Sequence, residues 1–186
     1  KVSEVEKAAA LSAEELDAAM NESKVDRERK REERKVAAKA EEAAVRAAAA
    51  APAPRTRLYC DGAARGNPGP AGAGAVIINP GGHIVAKVGK YLGDNTNNFA
   101  EYMGLLLGLK RAKAMGIRDL QVLSDSELMI RQLDGTYQVK ADNLRPLYDE
   151  AKTLLKFFEN VDLQHIPREE NEAADQMSNR AIDEKL

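Results

Sequence analysis

The sequence predicts an α/β fold: a mixed sheet of three antiparallel strands followed by αβ units, flanked by helices and preceded by a helical extension. Three observations predict it. Three apolar, strand-like runs follow one another directly, separated first by a turn dense in Gly and Pro and then by Asn79-Pro80-Gly81-Gly82, a hairpin connection. Helical and strand-like periodicities then alternate, for an overall order β-β-β-α-β-α-α-β-α. Finally, the composition changes near residue 54. Before it the chain has no aromatic residue and is dominated by Ala, Glu, Lys and Arg; after it, Gly and large apolar residues become frequent.

Residues 1–54 therefore read as a helical extension with a linker, and 55–186 as the folded domain. In the extension, Ser12-Ala13-Glu14-Glu15 fits a capping box, in which the Ser12 hydroxyl accepts from the Glu15 amide. From there to about Ala51 no residue breaks a helix. The large apolar residues Leu16, Met20, Val25, Val36 and Val45 do not repeat at a and d positions, which argues against a coiled coil. A solvated helix with charge pairs among Lys24, Glu28, Arg31, Glu32 and Lys35 is expected instead. Residues 47–54, with Pro52 and Pro54, end it in a linker. The short apolar stretch at 5–11 has the look of half a helix-turn-helix, but no base-reading helix follows it.

In the domain, 57–63, 74–79 and 83–92 are the three strand-like runs. Residues 98–115 carry Phe99, Tyr102, Met103, Leu106, Leu109 and Ala112 at helical spacing, and Gly116 closes that helix. A short strand at 120–123 leads into a helix at 126–133 that Gly135 ends. A helix at 144–158, a strand at 161–166 and a helix at 171–182 complete the order.

Composition excludes several function classes. The chain has 28 Lys and Arg against 30 Asp and Glu, for a net charge of −2, and the balance is even in both parts. A polyanionic partner would have to be met by local groups or metal ions rather than by global charge. The block 24–35 holds seven basic and four acidic residues, which reads first as a solvated helix face and second as a phosphate-backbone contact. A single cysteine, Cys60, rules out an internal disulfide framework and is expected to pack as a small apolar residue. No apolar run reaches the length of a membrane span and no apolar leader is present, so no membrane partner and a cytoplasmic location are expected.

Four acids stand at unusual places. Asp61 lies in the first strand where a structural strand would carry Val or Ile. Glu101 lies at the start of the long helix beside its apolar stripe. Asp125 joins the fourth strand to a helix, where taken alone it reads as an N-cap, and Asp175 lies early in the last helix. If the fourth strand runs parallel to the first, Asp61 and Asp125 become neighbours, and the helices can bring Glu101 and Asp175 over the same strand ends. Four carboxylates together are tolerable only with divalent cations, and oxygen-only ligation selects hard ions such as Mg²⁺ or Mn²⁺. Two such ions about 4 Å apart are a known device for phosphodiester cleavage.

The motifs that carry these acids resemble a known family. They are Tyr59-Cys60-Asp61-Gly62-Ala63-Ala64-Arg65-Gly66-Asn67-Pro68-Gly69-Pro70, Thr96-Asn97-Asn98-Phe99-Ala100-Glu101-Tyr102, Leu123-Ser124-Asp125-Ser126-Glu127-Leu128, and His165-Ile166-Pro167-Arg168-Glu169-Glu170-Asn171-Glu172-Ala173-Ala174-Asp175. In order and placement, residues from about 57 to 182 resemble the small bacterial and archaeal ribonucleases H. The resemblance implies a ribonuclease H-like, five-stranded mixed sheet. It also implies an endoribonuclease that hydrolyses the RNA strand of RNA–DNA hybrids with two Mg²⁺ or Mn²⁺ ions, leaving 5′-phosphate and 3′-hydroxyl ends; beside the hybrid, the sequence leaves double-stranded RNA open as a further candidate substrate. Asp61, Glu101, Asp125 and Asp175 are the implied catalytic and metal-binding set. Gly62, Asn67, Thr96, Asn97, Asn98, Glu127 and Asn171 are the implied substrate contacts, and one of Thr96, Asn97 and Asn98 is expected to cap its helix. Amide side chains suit this task, because the wide minor groove of a hybrid displays 2′-hydroxyls.

Two departures from the family pattern stand out. Residues Gly135-Thr136-Tyr137-Gln138-Val139-Lys140 pass directly to the next helix, where larger relatives carry a basic protrusion, which implies weaker substrate binding. His165 precedes Pro167 in a strand-like setting and is expected to be structural or partly buried. Arg168 is expected either to hold the loop near the site or to pair with Glu169 or Glu170, and His83 to be exposed. The chain is expected to be monomeric, with residues 1–54 free to contact protein or nucleic acid. Two alternatives stand beside the nuclease: a non-cleaving ribonuclease H-like binding module, disfavoured by the complete set of acids, and an enzyme delivered to a partner by its helical arm.

Overall fold

The structure, a computed structural model, describes residues 54–186 and, ahead of them, 29–32, 34, 35 and 39. The chain divides into two units, Lys1–Ala53 and Pro54–Leu186. The described residues of the first are helical and exposed, and Lys35 pairs with Glu32 at 3.2 Å, the kind of charge pair the sequence leads one to expect. The capping box at Ser12, the helix-turn-helix-like stretch and the residues from 47 to 53 lie outside the described residues.

The second unit runs β1 (Thr56–Ala64), β2 (Gly69–Ile78), β3 (Ile84–Asn95), α1 (Asn97–Ala114), β4 (Asp119–Ser124), α2 (Glu127–Leu133), α3 (Arg145–Leu155), β5 (Asn160–His165), a 3₁₀ turn at Arg168–Glu170, and α4 (Glu172–Glu184). The strands form one five-stranded sheet in the order β3-β2-β1-β4-β5. β2 pairs antiparallel with β1 and β3, whereas β4 pairs parallel with β1 and β5. The hairpin at Asn79 closes as expected, with the Asn79 amide donating to the His83 carbonyl at 2.9 Å.

Three helix boundaries have a clear local cause. Thr96 caps α1, its hydroxyl accepting from the Phe99 amide at 3.3 Å, an interaction typically worth about 1 kcal/mol. Gly116 (φ +73°) and Gly135 (φ +88°) turn the chain out of α1 and α2 in a conformation that other residues adopt at a cost. No helix stands between α2 and α3, as the missing protrusion implies.

Leu58, Ile77, Leu105, Leu106, Leu109, Leu120, Val122, Met129 and Leu133 are buried between the sheet and the helices that follow it. Each such side chain contributes about 1.5–3 kcal/mol on removal from water. The Tyr102 hydroxyl crosses this layer to donate to Gln132 Oε1 at 2.7 Å, which satisfies two buried polar groups at once.

Small residues set how closely the helices approach the sheet. A Cβ on Gly62 would lie 2.1 Å from the backbone of Ala100 and Glu101 in α1. A Cβ on Gly74 would lie 2.4 Å from the Ser178 amide in α4. Gly62 pairs with Ala73, and Gly74 with Asp61. Because successive strand residues point to opposite faces, α1 and α4 pack on opposite faces of the same strand pair. β2 begins at Gly69 rather than at Gly74, the start expected from composition. Glycine weakens a strand intrinsically, but the need to bring helix backbone onto the sheet overrides that preference here.

Candidate active site

The parallel β1/β4 pairing brings the first two acids together. The last paired residues are Tyr59 and Leu123, so Asp61, still within β1, and Asp125, just past the end of β4, each stand two residues further on. Asp61 is buried on the α4 face, and Ser178 Oγ lies 2.5 Å from its Oδ2. Asp125 does not cap α2: Ser126 holds that position and its side chain makes no cap bond. Asp125 Oδ1 instead accepts from Asn171 Nδ2 at 2.6 Å.

Glu101 arrives from the other face. It sits in the second turn of α1 rather than the first, and it is 6 % exposed. The bare Gly62 lets α1 lie directly on β1 at this point. Asn97 Nδ2 lies 3.4 Å from Glu101 Oε1, while Oε2 is buried with no hydrogen-bond partner. Asp175, in the first turn of α4, is drawn outward. Its Oδ1 accepts from Arg168 at 2.6 Å and its Oδ2 lies 3.3 Å from Asn179 Nδ2. With Glu169 and Glu172, Arg168 and Asp175 line a cleft of about 450 Å³.

The charges act on one another. Burial pushes the Asp61 carboxyl up to about 6, the charges of Asp125 and Asp175 push the same way, and the Ser178 hydrogen bond opposes them. Burial, with Asp61 and Asp125 nearby, holds Glu101 well above the usual carboxylate range. Asp175, Asp61 and Asp125 together stabilise the Arg168 cation. Cys60 packs as an apolar residue, and burial raises its thiol out of the reactive range.

These residues fit a hard divalent ion by their chemistry. The donors are carboxylate oxygens alone, one of them is buried without a partner, and burial with neighbouring acids raises the proton affinity of both Asp61 and Glu101. Among the described residues, however, no group of three or more His, Cys, Asp or Glu side chains is arranged to hold an ion as it stands. The sequence leads one to expect all four acids crowded into one spot. In the structure, Asp175 is instead ion-paired with Arg168, and mutual repulsion opposes any closer approach of the acids.

The implied substrate contacts separate into two groups. Asn67, Asn97 and Asn98 are exposed and Thr96 half-buried; the Asn97 amide donates to Asn67 Oδ1 at 3.2 Å. Glu127 is also exposed, 3.6 Å from Arg131. Gly62 and Asn171 stand apart from that exposed surface. Gly62 is buried under α1, and Asn171 is 0 % exposed with its amide spent on Asp125 and on the Cys60 carbonyl at 3.0 Å. Neither presents a side chain to a duplex. His165 is exposed rather than partly buried, because β5 is an edge strand, and His83 is exposed as expected. Arg168 pairs with Asp175 rather than with Glu169 or Glu170. Ser178 and Gly104 escaped notice in the sequence. The one available signal was a run of small residues where helices must meet strands.

Comparison with known proteins places these features in context. A family model described as reverse transcriptase-like matches residues 59–181. The chain is 41 % identical to ribonuclease HI of Halobacterium salinarum over 130 residues, which cover 70 % of this chain and 65 % of that protein. The crystal structure of the ribonuclease H1 from that archaeon superposes with a TM-score of 0.68, covering 70 % of this chain and 98 % of the other. Ribonuclease H of Coxiella burnetii is 33 % identical over 69 % of this chain and 90 % of its own length. A ribonuclease H1 from compost, solved in complex with an RNA/DNA hybrid, gives a TM-score of 0.66 at 38 % identity, over 70 % of this chain and 98 % of that one.

Proposed function

This chain belongs to the ribonuclease H family, and we propose that it hydrolyses the RNA strand of RNA–DNA hybrids. The observation that carries the reading is the meeting of Asp61, Asp125 and Glu101 where the parallel pairing of β1 and β4 ends, with Asp175 at the rim. Buried acids that raise one another's affinity for protons are unfavourable in a purely structural role and suit a cation-binding one.

In this reading Asp61, Glu101, Asp125 and Asp175 hold two Mg²⁺ ions, or Mn²⁺ in their place. When bound, the ions supply activation of the attacking water and neutralisation of charge at the scissile phosphate. The chain's own residues do the rest. Asn67, Asn97 and Asn98 present donors and acceptors to the minor groove, where 2′-hydroxyls mark the RNA strand. The buried carboxylates keep fixed positions against the backbone of β1 and α1, so little reorganises during the reaction. Water oxygen joins phosphorus, the bond from phosphorus to the 3′-oxygen breaks, and that oxygen takes a proton. The products carry 5′-phosphate and 3′-hydroxyl ends.

The test is incubation of the chain with end-labelled hybrid, double-stranded RNA and single-stranded RNA, with Mg²⁺ or Mn²⁺ and with chelator. Metal-dependent cutting of the hybrid's RNA is expected, and single-stranded RNA should survive. Intact hybrid RNA in both metals would overturn the proposal. Cutting of double-stranded RNA would widen the substrate class.

A further inference from the structure

Two of the four acids owe their orientation to side chains on a different element. Asp125 follows the last residue of β4 and forms no helix cap, so neither strand nor helix geometry holds its carboxylate. The hydrogen bond that reaches it comes from Asn171, at the head of α4. The orientation of the Asn171 amide follows from its neighbours. The Cys60 carbonyl and the Asp125 carboxylate are both acceptors, so the NH₂ group must face them, one hydrogen to each. Asp61 is met in the same way by Ser178 Oγ. The Ser178 hydroxyl also lies 2.8 Å from the Asp175 carbonyl, so it links the backbone of one acid to the carboxylate of another.

Asn171, Asp175 and Ser178 stand at i, i+4 and i+7, which places them along a single stripe of the helix. Asn171 and Ser178 are both 0 % exposed, so neither meets solvent or a ligand directly. The stripe can lie this close to β1 and β2 only because Gly72 and Gly74 are bare beneath it; a Cβ on either would come within 2.4 Å of the Ser178 backbone.

We infer that α4 is a registering element: Asn171 and Ser178 are positioning residues that fix the Asp125 and Asp61 carboxylates in the orientation a divalent ion requires, while Asp175 on the same stripe supplies a third carboxylate. This rests on the reading of the four acids as ion ligands. Hydrogen-bond partners of ligating groups set the direction of the ligands' lone pairs, and their loss commonly lowers metal affinity about ten- to a hundredfold. A residue that only filled space would lower stability and leave metal affinity alone.

The experiment measures Mn²⁺ binding to the full chain by calorimetry, with no nucleic acid present, beside melting temperature. Ser178→Ala and Asn171→Ala are each expected to weaken Mn²⁺ binding about ten- to a hundredfold. Leu109→Ala, a core substitution two turns beyond Glu101, should lower the melting temperature and leave Mn²⁺ affinity within about twofold of the original. Ser178→Ala removes one oxygen and suffices if Asn171→Ala does not fold. Unchanged Mn²⁺ affinity in folded Ser178→Ala overturns the inference, as does an equal loss in Leu109→Ala or an unsubstituted chain that binds no Mn²⁺. Hybrid cleavage by the unsubstituted chain is scored separately. If it cuts hybrid and Ser178→Ala binds Mn²⁺ normally, the inference fails and the nuclease reading stands. If it cuts nothing, the nuclease reading fails and the affinities still judge the inference.

Discussion

Glu101 and Asp175 are carried by helices on opposite faces of the same two strands, each seated through glycine, and yet their surroundings differ in kind. Glu101 is buried, with one oxygen unpartnered and its proton affinity raised. Asp175 has 27 % of its side chain exposed and shares its charge with Arg168. The backbone fit decides where each acid stands; the presence or absence of a nearby cation decides how much that position costs. The buried half of the site is therefore electrostatically loaded, and the exposed rim at Asp175 is already neutralised.

The largest expected effect separates the two halves by rate. Asp61→Asn or Asp125→Asn should lower hybrid cleavage by several orders of magnitude, because each removes a full negative charge from the loaded half. Asp175→Asn should lower it by about ten- to a hundredfold, since Arg168 already offsets that charge. Steady-state rates with folding checked by circular dichroism decide the matter. A loss for Asp175→Asn as deep as for Asp61→Asn would erase the distinction.

The next effect separates the two faces by stability. A Cβ on Gly104 would lie 2.3 Å from the Asp61 carbonyl oxygen, and neither backbone can give way. On the α4 face, a Cβ on Gly89 would lie 2.4 Å from Met177 Cε, the free end of a flexible side chain. Gly104→Ala should therefore destabilise by about 3 kcal/mol or more, and Gly89→Ala by about 1 kcal/mol. Urea denaturation measures both, and equal losses would mean that backbone contact is not what seats α1.

These glycines also mark the limit of what sequence periodicity discloses. The order of elements, the hairpin at Asn79 and the cap at Thr96 were legible because each follows from local preference. The four acids were legible because a carboxylate in an apolar run or at a junction is anomalous whatever it does. Their partners were not. Asn171 looked like a surface contact, and Asp125 looked like a cap, because local chemistry supports both readings; the bond between them spans 46 residues. Gly69 to Ala73 read as turn because glycine and proline disfavour strands, and only contact with α4 reverses that preference. Ser178 carried no signal at all: a serine inside a helix is ordinary until a strand brings Asp61 to within 2.5 Å of it.

The smallest effect tests whether the buried half is loaded at all, and its sign runs against intuition. Burial and neighbouring charge raise Asp61 from an ordinary 3.8 to about 6 in the folded chain. Below about pH 4 the group is protonated in both folded and unfolded chains and makes no difference. Between about pH 4 and pH 6 the folded chain keeps a proton that the unfolded chain has released, so stability falls as pH rises, by about 2–3 kcal/mol in all. Above that window the loss is complete. Asp61→Asn cannot ionise and escapes it, while its side-chain oxygen can still accept from Ser178. In chelator at about pH 7.5, Asp61→Asn should therefore melt roughly 5–10 °C above the unsubstituted chain, although it is the variant with least activity. The gap should close near pH 4. Mg²⁺ should narrow it at neutral pH by stabilising the unsubstituted chain alone. A gap that does not change between pH 4 and pH 7.5 would mean that the Asp61 charge is not under strain in the fold, and the contrast between loaded interior and neutralised rim would have to be given up.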